Sequence, residues 1–172
     1  MMLTTGRLLL RPFRPGDRSA VHAYAADPAV VEFMEYGPNT EADTDEFMAE
    51  ALVPLPGKWL WALARRTDEA VIGAAQLIVQ SDLHHRGEMG YVLARSAWGQ
   101  GYATEAAAAL VDFGLSDAGL HRIMATTDPD NSASVRVLEK IGMRREGLMR
   151  EHYLIRGRWR DRVLYARVAQ ER

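Results

Sequence analysis

The clearest chemical signals in this 172-residue chain are a glycine cluster and an asparagine-led helix that begins thirty residues after it. The cluster closes the run Gly90-Tyr91-Val92-Leu93-Ala94-Arg95-Ser96-Ala97-Trp98-Gly99-Gln100-Gly101-Tyr102-Ala103-Thr104-Glu105, where a strand pattern passes through a short loop straight into a helix pattern. Small residues there let the backbone approach a ligand, and the unpaired N–H groups of the helix start point at it. That geometry binds an anion, typically a phosphate. A dinucleotide fingerprint opening at Gly99 requires Gly or Ala where Thr104 stands. No glycine precedes Lys-Ser or Lys-Thr, so a P-loop is absent. On the loop alone, a plain tight turn stays as open as a phosphate site.

Other residues could move protons. Glu88 lies two residues before Gly90, and strand alternation puts Glu88, Gly90 and Val92 on one face. It is either a base beside the loop or an edge carboxylate paired with an arginine. Glu151-His152 is a second candidate, since a histidine near neutral pKa is a ready proton acceptor. The competing reading is a solvated pair at a strand end. Ser134 shares a helical face with Val137, Leu138 and Ile141, as an active hydroxyl or a back-bonded core serine. Asn131 suits a helix cap. His84 and His85 are adjacent and diverge, so no metal is expected there. The chain has no cysteine, which removes disulfides, thiolate zinc sites and cysteine nucleophiles together. No Gly-x-Ser-x-Gly elbow occurs, and Trp59 and Trp61 at alternate positions read as core.

The elements that must position these groups can be read from periodicity and turn residues. Arg7 to Phe13 reads as a strand ended by Pro15-Gly16, with Asp17 capping a helix to Ala25 and a second helix from Glu41 to Leu52. Trp59 to Ala64, Ala70 to Val79 and Glu88 to Leu93 read as strands, the first two a hairpin through Thr67-Asp68. Tyr102 to Leu115 is an amphipathic helix, Leu120 to Thr127 a strand, and Asn131 to Ile141 a helix stopped by Gly142. Strands from Arg144 to Leu154 and from Arg158 to Val168 close the order, turned at Gly157. The order β-α-α-β-β-β-α-β-α-β-β describes an α+β fold, a mixed sheet flanked by helices, with residues 1–172 as a single domain.

Charge is unevenly spread although the net value is only −2. Ser19 to Gly57 carries eight acidic residues and no Lys or Arg, while Arg136 to Arg172 carries eleven basic residues against five acidic ones. This suggests one cationic and one anionic partner, or simply two solvated faces. No run of eighteen apolar residues occurs, and Leu8 to Leu10 is too short for a secretory signal, so a soluble cytoplasmic protein is expected.

Several segments together resemble the GNAT superfamily of N-acetyltransferases, within it the RimJ/RimL-like branch. They are Arg7-Leu8-Leu9-Leu10-Arg11-Pro12, Glu88-Met89-Gly90-Tyr91, Trp98 to Ala106, Asn131 to Met143 and Gly157-Arg158-Trp159-Arg160-Asp161. They span nearly the whole chain in the family's order. The family loop usually opens with Gln or Arg, and here Trp98 holds that position while Gly101 and Ala103 fit. The resemblance implies a mostly antiparallel sheet of about seven strands with about four helices. It implies acetyl-CoA as cosubstrate and no metal. The amides of Trp98, Gly99, Gln100, Gly101, Tyr102, Ala103 and Thr104 would hold the pyrophosphate. Val92-Leu93 would pair with the pantetheine arm, and Asn131 would bond it. Ser134 would protonate the leaving thiolate, an N–H near Leu93 would polarise the thioester, and Glu88, Glu151 or His152 would be the base. With no cysteine, direct attack by a primary amine is the simplest route.

The implied acceptor is a protein N-terminal amine, with a small-molecule amine as rival, and a homodimer is left open. A non-catalytic acyl-CoA sensor is the alternative outside enzymes. An RNA-binding module built on the arginine-rich last hairpin is a third reading, with nucleic acid the less favoured partner.

Overall fold

The computed structural model describes residues 1–169, so the last three residues of the expected domain, Arg172 among them, lie outside the described residues. The elements are β1 (Leu3–Thr4), β2 (Leu8–Arg11), α1 (Arg18–Ala25), α2 (Glu41–Ala51), β3 (Lys58–Arg65), β4 (Val71–Ser81), β5 (Arg86–Leu93), α3 (Tyr102–Ser116), β6 (Arg122–Thr127), α4 (Ser132–Lys140), β7 (Arg144–Ile155) and β8 (Arg158–Val168). The expected α+β class stands, with one more strand than the pattern suggests. β1 is two residues long, too short to show a period of two.

One sheet runs in the order β1-β2-β3-β4-β5-β6-β8-β7. Every neighbouring pair is antiparallel except β5 and β6. Both faces of its central strands are covered, which explains their near-continuous apolar runs. Trp61 and Leu63 of β3 enter a cluster with Leu110 of α3 and Leu138 of α4. Ala62 enters the opposite cluster, with Val21 and Tyr24 of α1 and Met48 of α2. Trp59 and Trp61 pack edge-on against Phe113 at 5.2 and 5.5 Å, which makes both core residues. Gly114 lets α3 lie low on the sheet, since a Cβ there would meet Ile123 Cδ1 at 2.3 Å.

Asp17 does not cap α1 as its position suggests. Its carboxylate accepts from both terminal nitrogens of Arg11, at 2.7 and 2.8 Å, and from the Arg14 amide at 2.8 Å. Arg11 is buried, and a buried guanidinium left alone costs more than a lost cap. No described helix is long and apolar enough to cross a membrane.

Candidate active site

The sheet opens at one place. β5 and β6 pair only at Arg86↔Arg122, Gly87↔Ile123 and Glu88↔Met124, and then part. Ala94 N–H bonds Ile72 O of β4 at 2.8 Å, so by alternation Tyr91 and Leu93 turn their backbone groups to the open side. The Leu93 carbonyl there accepts from Trp98 Nε1 at 2.9 Å. The Trp98 amide donates to the Arg95 carbonyl at 3.1 Å, so unlike the expected donors that follow it, it is not free for a phosphate; Trp98 contributes its indole instead, and the Leu93 amide is left as a donor on the open edge.

Beyond β5 the chain turns through Gly99 (φ 71°) and Gly101 (φ 81°), left-handed conformations that favour glycine. Gly101 is the N-cap of α3. Among the described residues, no backbone hydrogen bond uses the amides of Gly99, Gln100, Gly101, Tyr102, Ala103 or Thr104. Six successive donors at a helix start form an anion cradle. Arg7 braces it, bonding the Gln100 carbonyl at 2.8 Å and Glu105 at 2.7 Å, with its guanidinium 4.5 Å from the Tyr102 ring centre. Burial works against the Glu105 carboxylate, but Thr5 and Arg7 outweigh it and hold its pKa below the usual value.

A cavity of about 930 Å³ passes through the fork and joins the two sides of the sheet. Glu88, Val92, Asn131 and Ser134 line it, as do Tyr91 and Tyr153. Glu88 is the last residue of β5 that pairs with β6, so its half-buried carboxyl stands where these two strands separate. Burial pushes the Glu88 carboxyl up, and the charge of Glu35 adds to the shift; His152 and Thr126 oppose it. Gln80 Nε2 donates to Glu88 Oε2 at 3.2 Å, so it is not the arginine-paired edge carboxylate of the competing reading. Asn131 Oδ1 caps α4 by accepting from the Ser134 amide at 3.1 Å, while the residue also lines the cavity.

Glu151 and His152 are exposed and do not line the cavity, although the His152 charge reaches Glu88. Glu151 has φ 49°, and its amide donates to Asp161 at 2.8 Å, within the irregular stretch of β7 between Met149 and Tyr153. Among the described residues no three His, Asp or Glu side chains group to hold a metal.

The acidic stretch divides. Glu35, Asp43, Glu46 and Glu50 line the cavity, whereas Glu41 and Asp45 both pair with Arg18, one residue before the stretch begins. The loop between α1 and α2 forms one wall. Arg156 of the β7–β8 turn bonds four of its carbonyls, Val31, Glu32, Tyr36 and Gly37. Three cavity residues carried little signal in the sequence. Tyr91 points away from Glu88 by alternation, and its buried hydroxyl faces the Ser134 side chain. Tyr153 and Arg162 come from the last hairpin, where long polar side chains alternate without an apolar period.

A parallel pair that separates beside a helix-start anion cradle, with a carboxylate at the branch, is an arrangement with room for a long phosphate-bearing ligand. Residues 7–144 match the family described as Acetyltransferase (GNAT) domain, and the chain belongs to it as an N-acetyltransferase. It is 35% identical over 171 residues to YnaD of Bacillus subtilis, named an uncharacterized N-acetyltransferase, across 99% of both chains. Among solved structures it is similar to a GNAT-family acetyltransferase from Bacillus anthracis, with TM-score 0.90 and 34% identity over 99% of this chain and 100% of that one. It is also similar to Mycobacterium smegmatis RimJ in complex with CoA-disulfide, with TM-score 0.85 and 27% identity over 95% and 83% of the two chains.

Proposed function

We propose that this enzyme transfers the acetyl group of acetyl-CoA to a primary amine by direct attack, with Glu88 as the base. The observation that carries the reading is the position of Glu88, at the branch of β5 and β6 inside the cavity shared with Ser134. Acetyl-CoA fits the residues present: the amides from Gly99 to Thr104 would hold its pyrophosphate, and Val92, Leu93 and Asn131 would hold its pantetheine arm. Its similarity to a RimJ crystallised with CoA-disulfide supports that assignment.

When bound, acetyl-CoA supplies an activated acetyl group on a thiol. The Leu93 amide donates to an oxygen on the open edge, where a thioester carbonyl gains charge in the transition state. Glu88 takes a proton from the arriving ammonium, directly or through water, and its raised pKa suits that exchange. As the C–N bond forms and the C–S bond breaks, Ser134 passes its proton to the leaving sulfur and takes one back, directly or through water, from the attacking nitrogen as that becomes the amide. The acceptor is a protein N-terminal amine or a small-molecule amine, and it reaches the site as a cation past Glu46 and Glu50 in the cytoplasm.

The test is a screen of acetyl-CoA turnover with N-terminal peptides and small amines, run on the wild type and on Glu88→Gln. The expected result is acetylated product that falls with Glu88→Gln while coenzyme affinity holds. Tight coenzyme binding with no product from any amine would make the chain a sensor instead.

A further inference from the structure

Four charged side chains are buried among the described residues: Arg11, Asp17, Asp128 and Arg162. Arg11 and Asp17 hold each other, and Asp128 holds Arg160 at 2.8 Å. Arg162 is 5% exposed and has no carboxylate within 4.0 Å among the described residues. Among the described residues its guanidinium makes one hydrogen bond, from Nη2 to the Phe33 carbonyl at 2.9 Å, and its buried Nε has no partner. A buried, uncompensated guanidinium is costly, and packing alone would favour an apolar residue. Its guanidinium lines the acceptor cavity and stacks 4.8 Å from the Tyr153 ring centre.

The other face of this arrangement is acidic. Glu35 and Glu88 line the same cavity as Arg162 and Tyr153, and the charges of Glu35, Glu88 and Arg162 all act on the Tyr153 hydroxyl, so the buried cation and the carboxylates face one shared space. A ligand filling the gap needs a positive group for the carboxylates and an oxygen acceptor for the guanidinium. A plain polyamine offers only the first. It would leave Arg162 unpaired and place a second ammonium near it.

We propose that Arg162 is a specificity-determining residue that selects acceptors bearing a carbonyl or carboxylate oxygen on the carbon next to the amine-bearing one. The substrate class is therefore an α-amino acyl compound, whether a free amino acid or a peptide N-terminus. This inference rests on the acetyl transfer proposed above. The planar fork of arginine presents several donors at fixed angles, which suits reading such an oxygen.

The test compares kcat/KM for phenylalaninamide, phenylalanine, a phenylalanine-led tripeptide and phenethylamine, which lacks the oxygen. Wild type, Arg162→Met and Arg162→Lys are assayed, with coenzyme affinity as the check on folding. Arg162→Met should lower kcat/KM for phenylalaninamide by about 10- to 100-fold, the worth of one charge-assisted hydrogen bond. For phenethylamine the change should stay under about threefold. Should the methionine variant not fold, Arg162→Lys carries the same comparison, because it keeps the charge and loses the fork. Equal losses on both amines would make Arg162 a packing residue and overturn the inference while acetyl transfer stands. Preference for phenylalanine, or for the amide and tripeptide, would each uphold it and identify the source of the oxygen. Absence of product from every amine would overturn the acetyl-transfer reading itself.

Discussion

Glu88 combines a strand position that the sequence makes plain with an environment that it conceals. Alternation places it on the face of Gly90 and Val92, which the structure bears out, but its raised pKa depends on burial first and then on Glu35 from the loop between α1 and α2. A base must be unprotonated, so kcat/KM should fall as pH drops through this raised pKa. The acid limb should lie above the range of an ordinary carboxyl. Glu88→Gln should abolish that limb and reduce kcat/KM by about 10²- to 10⁴-fold, measured as a pH–rate profile. Ser134→Ala should lower kcat with the acetyl-CoA dissociation constant unchanged, as removal of a transition-state proton donor requires. A change in coenzyme affinity alone would make Ser134 a binding residue. Arg162 was illegible for the converse reason. Arg158, Arg160 and Arg162 occupy one face of β8, and nothing local says which is buried; Phe33 and Asp128, distant in sequence, decide it.

At the scale of elements, apolar pattern and turn residues together located the helices and the long strands to within a few residues; β7 and β8, which lack an apolar period, were placed by the turn at Gly157. The pattern missed β1, and it read Asp17 as a cap because the buried partner Arg11 cannot be recognised from sequence spacing. The strand-to-helix junction was legible through its glycines, whereas the parting of β5 from β6 was not, being a relation between two strands. A side chain at Gly101 should strain the loop without unfolding the domain. Its φ of 81° disfavours any L-residue, and a Cβ would stand 3.4 Å from Arg7 Nη2. Gly101→Glu adds an anion beside the six free amides, so calorimetry should show loss of acetyl-CoA binding with the fold retained. Unchanged affinity would remove this loop from the cofactor site.

At the scale of the whole molecule, the uneven charge becomes a gradient across the cavity mouth. Glu41 and Asp45 share the single cation of Arg18, and Asp43 closes the capping box of α2 with Thr40, which leaves Glu46 and Glu50 as the useful pair to change. Converting both to Gln should lower kcat/KM for a cationic amine with kcat and the acetyl-CoA KM nearly unchanged. The loss should shrink as salt rises, because exposed charges are screened over about 8 Å at physiological ionic strength. An equal loss at low and high salt would indicate direct contact, and no loss would make the acidic run a solvated face.

The clamp of Arg156 on four carbonyls of the loop after α1 has an evolutionary reading. The groups assigned to the donor come from one stretch, Val92 to Ser134, inside the part that matches the family at 7–144. The acceptor wall joins residues 31–50 to a hairpin that extends beyond that match, and Arg156 fastens the two. Descendants of a duplicated gene can therefore diverge in the amine they accept by drift in those two segments alone. The stretch that handles the acetyl donor can stay under unbroken purifying selection.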